Sequence, residues 1–162
     1  MEIAFALGLA ELTWDEELRF AQPWLEPAEL TILGARDLAE LESYGVESLA
    51  GQVELVDAIS LAAEPRRHTS QAVERLAAMT PGGFWLHLDW DVLSSEAMPA
   101  VTNPNPGGLS WPELGEVARA ALASPAVAGW DVAVYNPDLD PDGRFAIRIV
   151  DFVLESLDAL PR

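Results

Sequence analysis

Residues 84–91 read FWLHLDWD, and residues 92–109 continue VLSSEAMPAVTNPNPGGL. The first stretch has the apolar and aromatic makeup of a buried strand. Its end carries two carboxylates, Asp89 and Asp91. Residues two apart on an extended chain point to the same face. An extended 84–91 therefore aims both acids at one point, where the strand hands over to a loop. In parallel α/β sheets that edge is where ligands bind.

Beyond this strand, residues 99–109 hold Pro99, Pro104, Pro106 and the pair Gly107-Gly108. Proline stiffens such a loop, and the glycines allow unusual dihedrals or close backbone approach. The loop reads either as a wall of a site or as a rigid connector. Ser110 is then an N-cap, with Pro112 in the first turn of a helix running to about Ala123. Residues 127–135, VAGWDVAVY, form another buried strand, and 136–143 a turn-rich loop. A last amphipathic helix spans 144–160 through Ile147, Val150, Val153, Leu154 and Leu157.

On the amino-terminal side, residues 68–80 show helical spacing that Pro81-Gly82-Gly83 ends. Residues 29–33 and 52–56 are short strands, and 34–37 is the loop at the carboxyl end of the first. Short helices are expected over 1–10, 15–20 and 37–44. Alternating strands and helices, with near-continuously apolar strands, imply one domain over 1–162. Its mainly parallel sheet is covered on both faces, a three-layer α/β/α architecture.

Composition narrows the chemistry. The chain has 162 residues, with 9 Lys+Arg against 27 Asp+Glu, a formal net charge of -18. Such a surface repels nucleic-acid phosphate and anionic lipid and favours cations, among them metals, amines and guanidinium compounds. With no Cys, disulfides, thiolate metal sites and cysteine nucleophiles are excluded. No signal peptide or long apolar run is evident, so a cytoplasmic protein is expected.

Two convergent carboxylates suit a divalent cation such as Mn²⁺, Mg²⁺ or Zn²⁺, with further ligands needed from elsewhere. They equally fit two strand-end acids that are solvated or cap neighbouring amides. His87 shares their face; it is a third ligand, a core histidine, or a residue that orients an acid. His68, at a helix start, reads as a surface residue. Residues 138–143, DLDPDG, imitate the start of a calcium loop, but Ile149 stands where the bidentate acid belongs. That stretch reads instead as a turn capping the last helix.

Taken together, LHLDWDVLSSEAMPAVTNPNPGGLSWPEL at 86–114, LGARD at 33–37 and GWDVAVYNPDLDPDGR at 129–144 resemble the signature segments of the ureohydrolase (arginase/agmatinase) family. The resemblance implies an α/β/α fold with a binuclear manganese cluster at the carboxyl edge of the sheet. It also implies hydrolysis of C–N bonds in linear amidines, with a small guanidino or amidine substrate. Asp89 and Asp91 match the last two metal-binding aspartates, Asp89 the bridging one. Asn103 is assigned as a substrate contact and His87 as a residue behind the ligands.

Three departures accompany the match. Val134 stands where arginases and agmatinases carry the acid that binds the guanidinium, and Ser94-Ser95 replaces the usual Asp-Pro. The family motifs that supply the remaining His and Asp ligands precede the point that Met1 matches. The chain is thus expected to resemble the carboxyl-terminal half of the fold, in a homo-oligomer or with a partner chain supplying the rest. The alternative to a divergent or incomplete hydrolase is a non-catalytic binding or assembly subunit.

Overall fold

A computed structural model describes residues 2–9, 23–36 and 49–161. The helices expected over 15–20 and 37–44, and Asp37, lie outside the described residues. A short helix α1 (Glu2–Ala6) comes first. Strand β1 (Thr31–Ala35) pairs in parallel with β2 (Glu54–Asp57). Helices α2 (Ala58–Ala63) and α3 (Pro65–Met79) follow. Strand β3 (Phe84–Asp89) pairs in parallel with β4 (Val127–Ala133), and helix α4 (Trp111–Leu122) connects them. Helix α5 (Arg144–Leu157) closes the described chain.

The local signals act as read. The Ser110 amide donates to Glu113 Oε2 at 2.7 Å, closing the first turn of α4. Asp57 caps α2 by accepting from the amides of Ile59 and Ser60, both at 2.9 Å. Asp140 closes the 136–143 loop. Its carboxylate accepts from the amides of Phe145 and Ala146 and from the Tyr135 hydroxyl. This acid is committed to the start of α5, in keeping with a capping turn.

Gly34 falls inside β1 rather than in the loop expected over 34–37. The strand pairing shifts register between Leu33 and Ala35, and Gly34 takes a φ of 89°. A Cβ there would come within 2.6 Å of Val92 Cγ2. A bare, left-handed residue lets the strand bulge and continue while Val92 packs on it.

The core centres on Trp90, which is 1% exposed. Its ring meets Phe152 edge-on at 5.4 Å and Trp111 at 5.6 Å. Leu88, Leu93, Met98, Leu109, Leu114 and Leu122 are buried around it. Met98, Ala100 and Val101 are almost wholly buried, so the first part of the 92–109 loop belongs to the core rather than to a surface connector.

One expectation about a face fails. The apolar spacing of α5 predicts a core face through Ile147, Val150, Val153, Leu154 and Leu157. Val153 is half-buried, but Ile147, Val150, Leu154 and Leu157 are 64%, 55%, 58% and 43% exposed, while Phe152 and Ser156 turn inward. The helix carries two apolar stripes, and the aromatic one meets Trp90 and Trp111. Periodicity marks stripes but does not choose between them. Among the described residues, β3 shows one exposed side. Phe84 and Leu88 of β3 are buried, but Trp85 is 61% exposed and His87 lies beside it. Among the described residues the sheet forms two separate two-stranded pairs, β1-β2 and β3-β4.

Candidate active site at the carboxyl end of β3

The strand stops at Asp89. Trp90–Val92 forms a 3₁₀ turn, because the Leu93 amide reaches back to Trp90 O at 3.2 Å. Asp91 therefore sits in a turn, and the rule that residues two apart share a strand face does not govern it. Trp90, at the head of that turn, buries its indole against Trp111 and Phe152. The Asp91 main-chain carbonyl accepts from Arg36 Nη2.

Asp89 is at the strand edge. Its side chain is 42% exposed, but Oδ1 itself is shielded from solvent and has no hydrogen-bond partner among the described residues. His87 Nε2 lies 3.2 Å away, an electrostatic contact rather than an aligned hydrogen bond. A buried carboxylate oxygen without a donor is costly, about 1–3 kcal/mol or more for a charged group. A cation placed against it removes that cost, so Asp89 fits a metal ligand. Among the described residues no group of three or more His, Asp or Glu side chains is arranged to hold a metal. The described chain thus offers a ligand position but not an assembled cluster.

His87 is not a core residue, since its side chain is 58% exposed. It stands between two acids, with Nδ1 2.7 Å from Asp131 Oδ2 on β4 and Nε2 towards Asp89. His87 and Asp131 are direct register partners across the parallel pair. Asp131 also accepts from Trp85 Nε1. The Trp85 donor holds the Asp131 carboxyl below the usual carboxylate range; partial burial opposes this and His87 adds to it. Trp85 can lie across β4 because Gly129 is bare, and a Cβ there would overlap the indole ring.

The loop after β3 is held from two sides. The Asn136 amide donates to Ala100 O at 2.9 Å, and Arg36 donates to carbonyls along 91–107. Asn103 lies exposed in its outer part. Val134, just past β4, takes a φ of 70° and is partly exposed. A β-branched residue in the left-handed region is strained. The strain falls where the sequence match expects a guanidinium-binding acid. His68 is half-buried in α3, away from these residues in the sequence.

Sequence reasoning missed Asp131 and Arg36. The alternation Trp85, His87, Asp89 was a legible signal of one polar face, but its cross-strand partner depends on register. Arg36 carried no local signal beyond its place in LGARD.

Comparison with known proteins agrees with this arrangement. The family model described as "Arginase family" matches residues 18–157. The arginase of Brucella melitensis is 30% identical over 136 residues, covering 82% of this chain and 43% of the relative. The formimidoylglutamase of Cupriavidus pinatubonensis is 28% identical over 129 residues, covering 76% and 40%. The solved arginase of Bacillus caldovelox superimposes with a TM-score of 0.80 at 21% identity, over 97% of this chain and 51% of that one. That likeness bears out the arginase-like α/β fold. The chain spans less than half the length of the curated relatives it matches. With its sequence match running from 18 to 157 and its strands in the arginase arrangement, the chain belongs to the arginase family.

Proposed function

We propose that this chain forms part of a metal-dependent ureohydrolase that hydrolyses C–N bonds of linear amidines in the cytoplasm, with Asp89 and Asp91 as manganese ligands. The observation that carries the reading is Asp89 Oδ1 at the carboxyl end of a parallel strand, shielded from solvent and without a hydrogen-bond donor among the described residues. Bound manganese supplies Lewis acidity and lowers the pKa of water. The chain's own residues do the rest. Asp89 presents its orphan oxygen at the strand edge. His87, braced by Asp131, faces that carboxylate and fixes its direction. The net charge of -18 draws a cationic substrate towards the site. Val134 cannot accept a hydrogen bond from a guanidinium, which directs specificity away from arginine and agmatine and towards an amidine whose cationic end is met elsewhere, with Asn103 as one contact.

A second reading, a non-catalytic subunit, is favoured by Val134 itself and by the lack of a three-ligand cluster among the described residues. Metal analysis with assays for ammonia and urea release on guanidino and formimino compounds separates the two. The hydrolase reading expects manganese in the purified protein, lost in Asp89→Asn. Metal-free protein without amidine hydrolysis refutes it, and unchanged metal in Asp89→Asn refutes the ligand assignment.

The proposal includes a partner segment of arginase-fold strands and helices that supplies the remaining ligands. It is supported by the apolar α5 stripe and by the 51% share of the Bacillus caldovelox chain that is matched. In-frame codons upstream of Met1 for His- and Asp-bearing strand ends support the proposal. A stop codon there, with a monomeric and metal-free chain in sedimentation, refutes it.

A further inference from the structure

Arg36 follows β1 directly, and its guanidinium reaches into the loop that leaves β3. Nη1 donates to Asn105 O and Gly107 O at 3.0 Å each, with a longer contact to Leu93 O at 3.4 Å. Nη2 donates to Asp91 O. All four acceptors are main-chain carbonyls, drawn from both limbs of one loop. A planar fork of five N–H donors can span such a set, whereas a single ammonium cannot.

The loop is already closed on itself. Ser94 N donates to Leu109 O at 2.9 Å, Leu109 N to Val92 O at 3.0 Å, and Ser95 N to Asn105 O at 3.0 Å. These bonds fix its limbs to each other. Arg36, coming from a different strand, fixes the closed loop to the sheet edge. Gly108 makes room for it. Gly108 has a φ of 89°, and a Cβ there would sit 2.7 Å from Arg36 Nη1 and 2.6 Å from Val92 O. The Gly-x-Arg of 34–36 and the Gly-Gly-Leu of 107–109, over seventy residues apart, thus form one contact.

We propose that Arg36 is a positioning residue: its guanidinium sets the main chain at Asp91 and the 93–107 wall against the end of β3, and so fixes the direction of Asp91 relative to Asp89. The effect on metal rests on the reading that these two acids hold manganese. Residues 102–107, the outer part of the loop with Asn103, are exposed. The tie to Arg36 holds that part in place.

Amide hydrogen exchange by NMR on the whole chain, with a Mn²⁺ titration followed by electron paramagnetic resonance, tests this. In Arg36→Ala the Ser95 and Leu109 amides should exchange at least about tenfold faster, as expected for losing charge-assisted hydrogen bonds. The Leu88 and Val117 amides, in β3 and α4, should stay within about twofold of wild type. Arg36→Lys keeps the charge and should restore only part of the protection. Gly108→Ala, which pushes the guanidinium aside, should reproduce Arg36→Ala. Mn²⁺ affinity should fall about tenfold in Arg36→Ala. Unchanged exchange at Ser95 and Leu109 in all three variants overturns the proposal. So does equal acceleration at every amide, which is general destabilisation, or a loosened loop with unchanged Mn²⁺ affinity. If the wild-type chain takes up no Mn²⁺, the metal reading fails. The exchange result alone then upholds or overturns the anchoring of the loop by Arg36.

Discussion

Trp90 lies between the two acids of the candidate site and at the middle of the core, so truncating it tests its place in the core. Its ring is 1% exposed and touches Phe152 and Trp111. Replacing a buried tryptophan by alanine costs about 3–5 kcal/mol through lost transfer energy and the cavity left behind. Of that, about 0.5–1.5 kcal/mol belongs to each ring pair. A domain of this size has about 5–15 kcal/mol in total, so Trp90→Ala should leave a marginal fold. At about 2–4 °C per kcal/mol for a chain of this length, the melting temperature should fall by about 6–20 °C. Trp90→Phe retains an aromatic ring and should lose only about 1–2 kcal/mol. Thermal melts followed by far-ultraviolet circular dichroism, with urea titrations for the free energies, make the measurement. A fall below about 2 °C in Trp90→Ala, with an unchanged urea slope, would refute the placement of this ring at the centre of the core.

The cap on α2 predicts a pH effect. The Ser60 amide and hydroxyl hold the Asp57 carboxyl below its usual range, against the opposing effect of burial. Asp57→Ala should cost about 1 kcal/mol at neutral pH. Because the folded pKa is the lower one, this contribution is complete above the unfolded carboxylate pKa and is lost as pH falls through the folded value. The gap in urea midpoint between wild type and variant should therefore close in acid, and a constant gap would contradict the cap. Gly129→Val should displace the Trp85 ring, at a cost of about 1–3 kcal/mol. It should also shift the indole N–H resonance and let the Asp131 carboxyl titrate closer to its ordinary value. An unmoved indole signal would show that the ring does not cross β4 at that glycine.

Much of the fold can be read from short stretches. Ser110, Pro112 and Glu113 lie within four residues of one another and specify the start of α4 without help from elsewhere. The runs at 84–89 and 127–133 are apolar enough to be strands wherever they pair. Loop 136–143 announces a cap through its acids and Gly143, and Asp140 supplies it. The strand-end position of Asp89, and with it the likeness to arginases, is likewise local information. The site is less legible, because its bonds join distant segments. Trp85, His87 and Asp89 are spaced for one face, but that Asp131 meets His87 follows from the parallel register of β3 and β4, which no local stretch specifies.

Periodicity and capping are properties of a few consecutive residues, so the elements, their order and the acid at the end of β3 could all be read along the chain. Packing in three dimensions settled what is shared between elements. It chose the Phe152 stripe of α5 for the core over the stripe through Ile147 and Leu154, because Trp90 and Trp111 offer aromatic surface there. It placed Asp91 in a 3₁₀ turn instead of on the strand. It brought Arg36 to the carbonyls of a loop whose far limb lies about seventy residues downstream. The cause is the same in each case: a side chain's partner is fixed by what the folded chain places beside it, and those neighbours are set by contacts far apart in sequence.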